Sequence, residues 1–125
     1  MCAKLLVAGG NGFIGSEICR MAVEQGHDVI GLSRHGRPEG DADWMDRVRW
    51  ESGNILMPED WRHLLQDCNA VIHSVAMEPD EEAKGVTDES LYRDSVEMLG
   101  WEAEHAGVER FVCISSAAKP PFTSD

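Results

Sequence analysis

Three glycines at three-residue intervals, Gly9, Gly12 and Gly15 within GGNGFIG, form the stretch of this chain best suited to hold a phosphate. Glycine lets a chain turn sharply, lets backbone approach an anion and lets a helix lie close to its neighbour. The flanking residues supply the setting that these uses need. Leu5-Leu6-Val7-Ala8 ahead of the glycines is an apolar run with the length of a buried parallel strand. Behind them Ile14, Ile18, Met21 and Ala22 recur at helical spacing. Strand, glycine turn and helix in that order make a fingerprint for a dinucleotide pyrophosphate, which the unpaired N–H groups of the helix start would face. Three glycines that merely form a tight turn are the plainer alternative, and their position directly after a strand makes it the weaker one.

A second concentration of chemistry follows at SRHGR. Helix one is expected from about Gly12 to Gln25, stopped by Gly26, with Val29-Ile30-Gly31-Leu32 as the next buried strand. An acidic residue closing that strand would accept hydrogen bonds from a ribose diol and repel a 2′-phosphate. Ser33 and Arg34 stand there instead, with Arg37 three residues on. Two guanidinium forks beside a hydroxyl suit a phosphate monoester, so NADP(H) is expected in preference to NAD(H). The alternative is a solvated loop whose arginines pair with Asp41 or Asp43.

The chain as a whole limits the remaining functions. Its 125 residues fit a single domain with a real core. A net charge of −12 argues against nucleic acid and anionic membrane surfaces as partners. No apolar run is long enough for membrane insertion, and the first residues do not read as a signal peptide. Cys2, Cys19, Cys68 and Cys113 are scattered without a CxxC pair, which suggests a reducing, cytoplasmic setting and no metal site. Acidic excess with only Lys4, Lys84 and Lys119 as lysines fits either a salt-adapted cytoplasm or an ordinary acidic protein.

Further elements complete an alternation of strands and helices. A short helix is expected over 42–47, a third strand over Val48–Glu51, and a helix opening at Pro58-Glu59-Asp60 with Trp61, Leu64 and Leu65 on its apolar face. A fourth strand should begin at Asn69 and run on through Ser74-Val75-Ala76. An exposed acidic loop over 78–88 should lead to a helix from about Glu89 to Ala106, capped by Asp88 and stopped by Gly107. The fifth strand is expected over Phe111–Ser116.

GGNGFIG, VIHSVA and GVERFVCISS together resemble the extended and atypical short-chain dehydrogenase/reductases, the family of the nucleotide-sugar epimerases and their NAD(P)-binding relatives. The resemblance spans essentially the whole chain. It implies a Rossmann-like α/β fold, a doubly wound parallel sheet of strand order 3-2-1-4-5 with helices on both faces. It also implies that Gly9, Gly12, Phe13, Ile14 and Gly15 contact the pyrophosphate, Asn54 and Ile55 the adenine, and Ser74, Val75 and Ala76 the ribose side. Asn54 stands where the family usually has an aspartate, and Ser95 lies near a position where relatives often carry asparagine. His73 is implied to be structural, and Ser116 to be the catalytic hydroxyl beside the substrate.

The family's YxxxK acid/base pair is missing from this chain: its only tyrosine, Tyr92, is followed four residues later by Val96. Three readings follow. The chain is the nucleotide-binding part of a longer oxidoreductase or epimerase/dehydratase-like enzyme, a non-catalytic NADP(H)-binding module, or an assembly subunit of quinone-biosynthesis or respiratory-complex machinery. The first is favoured because the glycine turn and the ISS strand are both intact. The substrate is not legible, and a homo-oligomer or a complex subunit stays open.

Overall fold

The computed structural model describes residues 3–10, 13–74 and 88–114. Strand β1 (Lys4–Ala8) lies at the centre of a five-stranded parallel sheet, with β2 (Asp28–Ser33) and β3 (Val48–Ser52) on one side. On the other side lie β4 (Ala70–His73) and β5 (Arg110–Cys113), giving the order β3-β2-β1-β4-β5. This is the Rossmann-like topology expected from the sequence.

Side-chain alternation explains why both faces need cover. Leu6 pairs with Ile30 and Val71 and, with Ala8 and Leu32, points to one face; Val7 and Val29 point to the other. Helix α1 (Phe13–Glu24) lays Cys19, Ala22 and Val23 over Val7, Val29 and Val48. Helix α2 (Asp88–His105) sets Leu99 and Ala103 on the opposite face, joined there by Trp61, Leu64 and Leu65. Gly26 and Gly107 follow the two helices with φ of 91° and 82°, the left-handed backbone that ends a helix without steric penalty.

Two expectations change in detail. The segment opening at Pro58 is not one helix but two short 3₁₀ turns, Pro58–Asp60 and Arg62–Leu65, separated by Trp61 at φ −137°. Trp61 is fully buried and its indole N–H donates to the Asn54 carbonyl at 3.0 Å, which draws the chain back onto the end of β3. Strands β4 and β5 also stop earlier than expected. Their ladder is prolonged by single bonds, Ser74 N–H to Ala8 and Ile114 N–H to His73. The bidentate pair of Arg62 with Glu102, both contacts at 3.0 Å, ties the second 3₁₀ turn to α2.

Candidate functional site

The glycine turn forms where β1 leaves the sheet. Gly9 takes φ 83°, and its N–H and that of Gly10 both reach the Leu32 carbonyl, at 2.7 and 3.2 Å. The turn is therefore folded across the end of β2. Gly15, in the first turn of α1, is buried against it. A methyl group there would lie 2.0 Å from the Gly9 carbonyl oxygen and 2.8 Å from Ser74 Oγ, so only glycine fits. The first turn of α1 carries no acidic residue, in a chain of net charge −12. An anion at that helix start would meet a positive dipole end with no carboxylate on the same turn. Phe13 opens the helix and Ile14 is 37% exposed beside it; Gly12 lies outside the described residues.

The ends of β2 and β3 enclose an open cavity of about 420 Å³ lined by Arg34, Ser52, Gly53, Asn54 and Asp60. The structure divides the SRHGR cluster. Arg34 lines the cavity, whereas Ser33 is buried and its hydroxyl donates to the Gly36 carbonyl at 2.9 Å. Arg37 is held by Asp46 at 2.9 Å, so the arginine pairing expected as the alternative does occur, with a different aspartate. Asn54 lines the cavity while its side-chain oxygen accepts the Leu56 N–H. Ile55 packs into the core with Leu32 and Trp61 and is not among the cavity's lining residues.

At the end of β4 the polar side chains turn inward. His73 is fully buried, and its Nε2 lies 2.7 Å from Ser95 Oγ on α2. Burial pulls the His73 imidazole below its ordinary value, which favours the neutral ring. Ser74 is buried too, and its hydroxyl donates to the Ala8 carbonyl at 2.9 Å, bracing the last residue of β1. Cys19 beneath the turn is a packing group, its thiol pushed up to about 12 by burial. Val75, Ala76 and Ser116 lie outside the described residues. Among the described residues no cluster of His, Cys, Asp or Glu could hold a metal ion, and no helix is long and apolar enough to cross a membrane.

A glycine turn against a helix start and a mixed polar cavity at the ends of the next two strands thus share one edge of the sheet. Residues 5–122 match the sequence model of the NAD dependent epimerase/dehydratase family. The chain belongs to that family. Among its relatives, MIOREX complex component 2 of Saccharomyces cerevisiae is 38% identical over 82 residues, covering 62% of this chain and 30% of that protein. The photosystem II assembly factor Ycf39 of Synechocystis is 31% identical over 121 residues, 90% of this chain and 33% of the relative. The chain thus spans about a third of the length of these curated relatives. In fold, it is similar to the UDP-glucose 4-epimerase of Bifidobacterium longum solved with NAD+ and UDP. The TM-score is 0.74 at 21% identity, covering 91% of this chain and 37% of the other.

Set beside its motifs, this epimerase/dehydratase family member holds residues that sequence reasoning passed over. The sequence places Asp60 in the first turn of an expected helix, and only the 3₁₀ geometry brings it to the cavity. Nothing in the sequence marks Ser95 as the partner of His73. Gly31 carried a usable signal, since a glycine inside a buried strand marks a close approach. A methyl group on Gly10 would lie 3.0 Å from its Cα, and one on Gly31 itself 2.6 Å from the Trp50 ring.

Proposed function

We propose that this chain binds a nicotinamide dinucleotide across the carboxyl ends of β1, β2 and β3, as the nucleotide-binding part of an oxidoreductase or epimerase/dehydratase-type enzyme. The observation that carries the reading is Arg34 lining an open cavity at the ends of β2 and β3, on the same sheet edge as a glycine turn that tolerates no side chain at Gly15. The backbone around Gly9 and Gly15 would receive the pyrophosphate, and Arg34 the 2′-phosphate of NADP(H). Of Ser33, Arg34 and Arg37, only Arg34 lines the cavity, and preference for NADP(H) over NAD(H) rests on it. Ser74, Val75 and Ala76 would border the nicotinamide-side ribose, and Ser116 would orient a substrate hydroxyl or carbonyl. When bound, the dinucleotide supplies the hydride acceptor or donor. The remaining acid/base chemistry would come from chain beyond the matched third. The free thiols of Cys19, Cys68 and Cys113 support a reducing, cytoplasmic setting.

A second reading is a non-catalytic module or assembly subunit. It is favoured by two relatives, one a complex component and one an assembly factor by name. Parallel titrations with NADPH and NADH, read by thermal shift and ligand fluorescence, test the binding. Saturable binding with NADPH preferred is expected. Arg34→Ala should weaken NADPH by about tenfold or more, the scale of a hydrogen bond to a charged group, and leave NADH nearly unchanged. Equal losses for both would sink the phosphate assignment. Binding without turnover in the full-length protein, together with co-purifying partners, would select the second reading.

A further inference from the structure

The segment that carries Asn54 and Asp60 of the cavity lining is tied to α2 by a charge pair that lies outside the cavity. Residues 54–65 hold only two short 3₁₀ turns, and neither has a capping side chain. Turns of this kind bond poorly within themselves, so their placement depends on what they are tied to. Trp61, Leu64 and Leu65 sink into the core with Leu99 and Ala103 of α2. Such contacts press the segment onto the fold, but they are non-directional and do not fix how it is turned. The directional tie comes from Arg62. Its Nε and Nη2 donate to the two carboxylate oxygens of Glu102, each at 3.0 Å, across 40 residues of sequence.

From Arg62 the tie runs on to the cavity through its two preceding residues. The Trp61 indole N–H donates to the Asn54 carbonyl at 3.0 Å, and Asp60 Oδ2 accepts the Asn54 N–H at 3.1 Å. Asn54 is thus gripped at both its backbone groups, and a turn of the chain at Arg62 moves both grips together. The energetics favour placement over stabilisation. The Arg62 side chain is 59% exposed, so water screens much of the attraction, while the fork still admits one arrangement of the two partners. We infer that Arg62 and Glu102 are positioning residues for the cavity, setting Asn54 and Asp60 in place so that dinucleotide affinity depends on a contact with α2. This inference rests on the dinucleotide reading above.

Titration of NADPH and NADH into the wild type, into Arg62→Lys and into the double variant Arg62→Met with Glu102→Met tests it. Lysine keeps the charge but has no fork, and the two methionines leave no buried charge unmatched, so the fold is retained. Both variants should bind both dinucleotides about three- to tenfold more weakly, the scale of one lost hydrogen bond. The ratio of NADPH to NADH affinity should stay as in the wild type, because Arg34 is not in this chain of contacts. Hydrogen exchange at the Asn54 amide and the Trp61 indole should quicken in step. Gly26→Ala, which strains the chain beyond the end of α1, is the control for lost stability and should leave affinity unchanged. Wild-type affinity in both variants overturns the inference. Weaker binding with Asn54 and Trp61 exchanging as slowly as in the wild type, or an equal loss in Gly26→Ala, overturns it too. Wild-type protein that binds neither dinucleotide overturns the dinucleotide reading, and this inference with it.

Discussion

The polar side chains at the two sides of the sheet's carboxyl edge do opposite work. After β2 and β3, Arg34, Asn54 and Asp60 line an open cavity. After β4, His73 and Ser74 are buried and bonded into the fold, His73 to Ser95 on α2 and Ser74 to the end of β1. An exposed charge can recognise a ligand, because its desolvation is deferred until the ligand arrives. A buried neutral pair instead fixes one packing arrangement, since leaving either member unmatched in a low-dielectric interior is costly. The same edge of one sheet is thus divided into a recognising side and a bracing side, and burial draws the line.

The junction of the two sides should be the most sensitive point. Gly15 touches both, with Gly9 and Ser74 within 3 Å of any added methyl group. Gly15→Ala must displace the turn backbone, because the closest atom is a carbonyl oxygen and not the end of a flexible side chain. A loss of about 3 kcal/mol in unfolding free energy, with loss of dinucleotide binding, is expected from urea denaturation and titration. Gly26→Ala is the contrasting substitution. Nothing lies within 4 Å of its added methyl, and only the strain of φ 91° acts, about 1 kcal/mol.

On the bracing side, Ser95→Ala removes the 2.7 Å partner of His73 Nε2 inside a buried site. About 2 kcal/mol of stability should be lost, as for a buried group deprived of its partner. The folded variant should still bind NADPH with wild-type affinity. A weakened affinity without destabilisation would move Ser95 to the recognising side and erase the division.

The sequence disclosed most of the fold and an uneven share of the site. Strand positions and the two helix faces were legible because apolar runs and glycine stops act locally, whereas the strand order came only with the family resemblance; β1, β2 and α1 fall within a residue or two of expectation. The glycine turn was legible for the same reason. Asp60 and Ser95 were not, because their roles come from contacts between separate segments. Asp60 reaches Asn54 only when Trp61 folds back against β3, and Ser95 meets His73 only when α2 docks 22 residues later in the chain. Arg37 shows the converse error. Composition placed it in a basic cluster, yet its nearest carboxylate is nine residues away, on the 3₁₀ turn Asp43–Arg47.

The bracing side also predicts a pH dependence. His73 has its folded-state value lowered from 6.5 by burial, so between 6.5 and that lowered value the unfolded chain binds more protons than the folded one. Stability contributed by the neutral ring is therefore full above 6.5 and declines as pH falls through this window. Thermal midpoints of the wild type should drop faster on acidification than those of His73→Gln, which cannot titrate but keeps a hydrogen-bonding side chain for Ser95. Parallel curves for the two proteins would mean that the ring gains a proton as readily in the fold as out of it.

Arg37 should give the smallest effect, and that is what makes it informative. Its ion pair with Asp46 joins two exposed side chains, and such pairs contribute between zero and about 1 kcal/mol because water screens them and both chains lose rotamer freedom. Arg37→Ala should shift stability by less than about 0.5 kcal/mol, readable as a small change in urea midpoint that shrinks further in molar salt. It should also leave the ratio of NADPH to NADH affinity unchanged. If that ratio falls instead, Arg37 must release Asp46 and swing to the phosphate when the nucleotide binds. The recognising side would then extend beyond the cavity that Arg34 now marks.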